Sequence, residues 1–390
     1  EEGQHDGGHQ QQRRHDGPQQ HDEHQEDHQQ DGRDDHAGVA GRLLLDVVDD
    51  RGAAPIDPVE PKTHGRGAAG GESRLIRFSH GAGDWYTRSA WRARDLWREL
   101  ESETGRELLA ETGIAWLARS EDGWEAESER TLRKEGIPVE RLDPKAGRDL
   151  FPSFEPGDLR FILWEPEAGV LRAREATKAT VEAAGRAGVR LTLEPAEPGE
   201  VEGDVVVWAC GAWLAALFPG VLPLRVTRQD QFFFASPEGW ETGRAPAWVD
   251  YDRAIYGVGD LGHGLKIAPD LEGPPFDPES DDRETDPLNE QRARAYAAER
   301  FPELAGARLL SSQACPYALT PDTNFIVAPH PALPRNWLLG GGSGHGFKHG
   351  PALAEYAARV VTGEEAPQAQ FGLGPRERRP SLRTAGSTSR

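Results

Sequence analysis

Near the C-terminus an apolar run, a glycine-rich turn and a helix-forming segment follow one another directly. Trp337, Leu338 and Leu339 lead into Gly340, Gly341, Gly342, Ser343, Gly344, His345 and Gly346, and then into PALAEYAARVVTG, which we read as a helix from Pro351. Glycines at a strand-to-helix turn let backbone N–H groups approach a phosphate or a ring closely. Purely structural turns share this texture, but His345 and Lys348 stand in the same turn here and favour a site.

The rest of the chain repeats the mixture of textures. Residues 84–104 predict an amphipathic helix with Trp91, Leu96, Trp97 and Leu100 along one stripe and Asp84 as its N-cap. A strand is expected over 112–118 and a helix over 125–135, ending at Gly136. Phe161–Trp164, a helix over 173–187, Val189–Leu193 and Val205–Ala209 alternate in a way that argues parallel strands. Residues 223–270 read instead as strands divided by Gly/Pro turns, an antiparallel sheet, and 287–300 as a helix. The fold class is α/β, with one domain left and re-entered and a β-rich domain inserted.

Composition excludes several classes. Lys+Arg is 45 against 66 Asp+Glu, a net charge of −21, a poor basis for holding a nucleic-acid backbone. Two cysteines, Cys210 and Cys315, cannot build a disulfide framework or a four-thiolate zinc site. The uncharged stretch 205–224 approaches membrane-spanning length, but Gly211, Pro219, Gly220 and Pro223 interrupt it, and a buried strand running into a short helix fits better. Residues 1–36 hold nine Gln, seven His and eleven acids without a large aliphatic or aromatic residue, so residues 1–38 are expected to be a disordered tail, with weak metal binding as the lesser alternative. Residues 374–390 are expected to be a second, basic tail. The expectation is a cytoplasmic monomer with no membrane and no nucleic-acid partner.

Three further candidates stand out. Lys266 lies between Leu265 and Ile267, either facing outward by alternation or aimed into a cavity. Arg74 and Arg77 are three apart in SRLIR, either an anion-binding pair or a surface pair. Cys315 is either a buried inert thiol or a reactive one. No zinc-hydrolase, P-loop or CxxC signature appears.

Four motifs in order, ESRLIRFSHG, YGVGDLGHGLKIAPD, ACPYALTPDTNFIVAPHP and GGGSGHGFKHGPALAEYAARVVTGE, resemble the monomeric sarcosine oxidase and N-methyltryptophan oxidase family of FAD-dependent amine oxidases. The similarity runs from about Pro58 to Leu373. The resemblance implies an interrupted FAD-binding Rossmann-like domain over 39–110, 166–222 and 322–373, and a substrate domain with a mostly antiparallel sheet over 111–165 and 223–321. It implies FAD bonded covalently to Cys315, Lys266 over the flavin for reaction with molecular oxygen, and Arg77 with Lys348 on a substrate carboxylate. Arg74 and His345 would line the flavin, Tyr256 the substrate pocket, and Ser73, Gly342, Gly344, Gly346 and Lys348 would lie against the cofactor. The implied reaction oxidises a secondary amine or N-methyl amino acid and yields hydrogen peroxide.

The sequence departs from this pattern in three places. A strand followed by G-x-G-x-x-G, the seat of the pyrophosphate, is absent, and VAGRLLLDVVDD with Asp46 is its only substitute. The segment between Leu193 and Val205 is short for the family. Asp270 stands where sarcosine-type members carry a histidine. A dehydrogenase that avoids oxygen and a flavin-free binding protein are therefore kept as alternatives.

Overall fold

The computed structural model describes residues 67, 69–192 and 196–378, together with the backbone of Leu44–Val47. The expected tail over 1–38 lies outside the described residues, as does the other from 379 onward. In chain order the strands are β1 (Leu44–Val47), β2 (Ser73–Ile76), β3 (Leu109–Ala110), β4 (Ile114–Ala118), β5 (Glu140–Leu142), β6 (Phe161–Glu165), β7 (Gly169–Arg172), β8 (Val189–Thr192), β9 (Val206–Trp208), β10 (Arg225–Phe234), β11 (Ala247–Asp250), β12 (Ile255–Val258), β13 (Leu265–Pro269), β14 (Leu309–Leu319), β15 (Ile326–Pro329) and β16 (Asn336–Gly340). The helices are α1 (Asp84–Thr104), α2 (Trp124–Lys134), α3 (Gly147–Leu150), α4 (Ala173–Arg186), α5 (Leu214–Leu217), α6 (Pro287–Arg300) and α7 (Gly346–Val361).

Eight strands form one sheet in the order β14-β10-β13-β12-β11-β4-β6-β5. Every pairing in it is antiparallel except β4 with β11. Strand side chains alternate between faces, and here the alternation separates two cores. Ile114, Trp116, Ala118, Leu163, Val249 and Val258 join one cluster. Their neighbours Ala115, Leu117, Ile162, Trp248 and Ile255 join the other. The second face packs on α6 through Ala293, Tyr296 and Ala297, with Phe232, Phe234, Trp240 and Phe301 filling the space. The first face looks toward β2, α1 and α2, and it is the face that carries the candidate site.

Three smaller sheets surround this one: β1-β8, β15-β16-β9 and β2-β7-β3. The expected parallel unit over 161–209 does not form. Its strands disperse into four sheets, and only β9 runs parallel to a partner, β16. The local alternation of strand and helix was right, but the strand partners are distant in sequence: β7 pairs antiparallel with β2, β8 with β1.

Helix α1 spans the expected residues and ends at Gly105, whose positive φ of 69° lets its N–H reach the Glu101 carbonyl. Asp84 is not its N-cap. Gly83 occupies that position and Asp84 sits in the first turn, where its charge suits the helix dipole. Helix α7 begins at Gly346 rather than Pro351, so the proline falls inside it. Tertiary contacts wind the early glycine-rich turn: the Trp97 indole donates to the Lys348 carbonyl at 3.0 Å and stacks on Phe347 at 5.7 Å. The 205–224 stretch folds as β9, a short 3₁₀ turn and α5. It is less buried than expected, with Val205 and Val207 each 45% exposed. No helix among the described residues is long and apolar enough to cross a membrane.

Candidate active site

The strand pairings bring the sequence candidates onto the first face of the large sheet. Lys266 pairs with Phe233 of β10 and Val258 of β12, and Cys315 of β14 pairs with Gln229 of β10. Gln229 and Phe233 share parity along β10, so Lys266 and Cys315 project from the same face. Tyr256 shares it too, being opposite Ala268, two residues from Lys266. Lys266 is 1% exposed, which decides for the inward reading. Its Nζ donates to the Ser73 carbonyl at 3.0 Å and lies 5.2 Å from the Tyr256 ring centroid. Burial, and then the Arg74 charge, push its pKa down from 10.5 to about 7. Burial likewise pushes the Tyr256 phenol well above its usual range, with Tyr317 adding to it. The Cys315 thiol is buried and accepts from Gln231 Nε2 at 3.2 Å.

Arg74 and Arg77 do not act as one pair. Arg74 holds the Ser73 and Gly70 carbonyls and lies over the Phe347 ring. Arg77 holds the Ser79 carbonyl and lies over Trp116 at 5.2 Å. The physical reason is that residues three apart on extended chain do not share a side. Close enough to feel the Arg77 charge is Glu165, a fully buried carboxyl at the end of β6. Glu165 accepts from the Phe78 and Ser79 amides and from the Trp116 indole at 2.6, 3.2 and 2.6 Å. Burial raises its pKa, and these donors and Arg77 oppose the rise.

The glycine turn supplies the other wall. Ser343 adopts φ 45° between glycines, a strained region for a residue with a side chain. Its hydroxyl donates to the Gly341 carbonyl and accepts from the Thr320 amide. Gly344 also has a positive φ, and a Cβ on Gly342 would meet only Gly346 backbone, at 3.6 Å. The α7 N-terminus that follows carries no side-chain cap and no acid in its first turn, so its amides are available to an anion or a polar ring. Lys348 is buried, and its Nζ donates to the His345 carbonyl at 2.9 Å. His345 Nε2 lies 3.1 Å from the Thr323 carbonyl.

Sequence reasoning missed three residues in this region: Glu165, His80 and His349. His80 follows Arg77 by three positions, and His349 is fully buried with Nδ1 3.1 Å from Ser89 Oγ. Burial and the charges of Arg77 and Lys348 hold the pKa of each of the two imidazoles well below the usual value. An i, i+4 pair at 345 and 349 was there to be read, but starting the helix at Pro351 concealed it.

The described residues fit the ring end of the FAD implied by the resemblance. A buried lysine with one acceptor among the described residues, beside a buried Gln231 Oε1 that has none there, is a polar set in want of a polar partner. Ser73, Lys266, Cys315 and the uncapped α7 amides are the residues that would hold it. The substitute acid Asp46 lies in β1, described only as backbone.

Comparison with known proteins gives the same direction. The profile of the FAD dependent oxidoreductase family matches residues 52–360. A monomeric sarcosine oxidase of a Bacillus species is 30% identical over 79% of this chain and 86% of its own, and that of Streptomyces avermitilis 29% over 78% and 86%. An N-methyl-L-tryptophan oxidase of Yersinia pestis is 26% identical over 80% of this chain and 89% of its own. Among solved structures, a fructosyl peptide oxidase superposes with TM-score 0.68 at 17% identity, covering 84% of this chain and 88% of that one. The glycine oxidase of Geobacillus kaustophilus gives 0.64 at 20% identity, covering 80% and 90%. At these identities the structural likenesses establish the fold.

Proposed function

The chain belongs to the FAD-dependent oxidoreductase family, and on that premise we propose that it is an oxidase of secondary amines or N-methyl amino acids. Bound FAD would supply the two-electron redox chemistry that links oxidation of the amine C–N unit, giving an imine that water hydrolyses, to reduction of oxygen to hydrogen peroxide. The observation that carries this reading is Lys266, a buried cation-capable amine on the same sheet face as Cys315 and Tyr256.

The residues divide the work. Arg77 and Lys348 both act on the electrostatic surroundings of His80 and His349, so they flank one region and suit a substrate carboxylate, Arg77 with its planar fork and Lys348 as a point charge. Glu165 fixes the backbone at Phe78 and Ser79 and thereby the approach of Arg77. Fixing the carboxylate orients the amine, and orientation supplies much of the rate. Lys266 in its protonated form stabilises negative charge developing on oxygen. Cys315 is the proposed flavin-bearing thiol, and Tyr256 and His345 line the pocket. Asp270 contributes a negative charge near Lys266 and Tyr256, which favours an amine with a second cationic group. The division into a FAD-binding domain over 39–110, 166–222 and 322–373 and a substrate domain over 111–165 and 223–321 is part of the same proposal.

The test is a visible spectrum of the purified chain before and after acid precipitation, followed by peroxide detection with N-methyl amino acids. A yellow pellet that turns colourless in Cys315→Ala, with peroxide formed by the wild type, supports the reading. Substrate-dependent flavin reduction without peroxide assigns a dehydrogenase instead. A protein that remains colourless when supplied with FAD refutes it.

A further inference from the structure

Three imidazoles converge beside the proposed carboxylate clamp. His80 leaves the loop after β2, His345 precedes α7, and His349 stands four residues along it. One ligating nitrogen from each lies within 4.8 Å of the other two. The ring centroids are 5.9 Å (80 to 345), 5.1 Å (80 to 349) and 5.8 Å (345 to 349) apart. Zinc–nitrogen bonds of about 2.0–2.1 Å in a tetrahedron set nitrogens about 3.3 Å apart, so rotations of the rings by an ångström or so close the set.

Existing hydrogen bonds hold two of these rings, those of His345 and His349. A carbonyl oxygen only accepts, so His345 Nε2, facing Thr323, carries the proton and Nδ1 carries the lone pair. His349 uses Nδ1 toward Ser89, which leaves Nε2, a buried atom with no hydrogen-bond partner among the described residues. His80 Nε2 is buried and unpartnered in the same sense. Outer hydrogen bonds that fix tautomer and ring direction are the usual support of metal-binding imidazoles. Buried nitrogens without partners are otherwise costly, and one ion satisfies both.

We propose that His80, His345 and His349 form a three-imidazole site for a borderline-soft divalent ion of the zinc class. Imidazole is a ligand of choice for such ions, and among the described residues no carboxylate joins the set. Arg77 and Lys348 oppose the added charge, and an anion drawn in by that same pair offsets it at the fourth position. The proposal does not rest on the amine chemistry above.

Cobalt(II) titration of the full chain, read as a visible difference spectrum, tests it. A low-coordinate ion in a three-imidazole site absorbs strongly, whereas hydrated ions on the seven histidines of residues 1–36 absorb weakly. The expected result is one saturable, intense band, displaced by zinc. His80→Ala and His349→Ala abolish it, and the milder Ser89→Ala weakens binding by about 10–100-fold through loss of an outer partner. Metal-free circular dichroism establishes that each variant is folded. Absence of a saturable band in the wild type, or an undiminished band in folded Ser89→Ala and either histidine variant, overturns the proposal.

Discussion

Lys266→Met replaces a buried amine with an apolar chain of similar length, and the wild-type lysine makes its effect depend on pH. The folded protein lowers the lysine pKa from 10.5 to about 7, by burial first and the Arg74 charge second. A lysine with a depressed folded pKa binds fewer protons folded than unfolded, so stability rises with pH between the two values. Above pH 10.5 the amine is neutral in both states and costs nothing through ionisation. From there the unfolded chain takes up its proton first, and stability falls until about pH 7, below which the loss is complete. Each pKa unit is about 1.4 kcal/mol, so the whole loss is about 5 kcal/mol. Methionine does not titrate. The stability of Lys266→Met relative to wild type therefore increases by about 2 kcal/mol on going from pH 9 to pH 7. Urea unfolding of the two proteins at pH 7, 8 and 9 measures this directly. A difference that stays constant over the three pH values refutes the reasoning, because it would mean that the folded amine keeps its proton.

Other perturbations have equally definite outcomes. Glu165→Leu leaves three buried donors, on Phe78, Ser79 and Trp116, without their acceptor at about 1–3 kcal/mol each. Glu165→Gln keeps an acceptor oxygen and costs less, and chemical denaturation of the two variants ranks them. A Cβ on Gly169 would stand 2.1 Å from the Ala110 carbonyl oxygen, so Gly169→Ala must part β3 from β7 and costs about 3 kcal/mol, the upper end for overpacking, seen as a lowered Tm. Asp270 raises the Lys266 pKa, and Asp270→Asn moves the pH window of the lysine-dependent stability lower, as read by the same urea series. Arg77→Lys loses the fork that grips a carboxylate and raises KM for an N-methyl amino acid about tenfold, while an amine lacking the carboxylate is unaffected.

Local signals carried much of the fold. The extent of α1 follows from its stripe and from Gly105, and the turn-divided texture of 223–270 became the strands β10 to β13. What local pattern did not give was partnership. The strands of 161–209 were identified, yet their pairing depends on chain segments more than a hundred residues away in some cases, as with β9 and β16. At Lys266 alternation failed for a different reason. All five residues of β13 are buried, because both sheet faces are covered, so polarity along the strand does not mark an outside. Lys266, Cys315, Tyr256 and the α7 turn were singled out from sequence, and the strand register sets the first three on one face of the large sheet. Glu165 and His80 were not, since an acid closing an apolar run and a histidine in a loop acquire meaning only from Trp116, Arg77 and α7.

The parity of the large sheet has a consequence for how such a chain can change over time. Lys266, Tyr256 and Cys315 are aligned by counting residues along three strands. A single-residue deletion inside β13 would turn Lys266 toward the Phe232 and Phe301 side and present Leu265 or Ile267 in its place. Substitutions along these strands can alter chemistry gradually, whereas length changes there exchange one face for the other at once. Insertions and deletions are thus confined to connections such as 259–264 and 270–286, and diversity of length among descendants of this chain belongs in those loops.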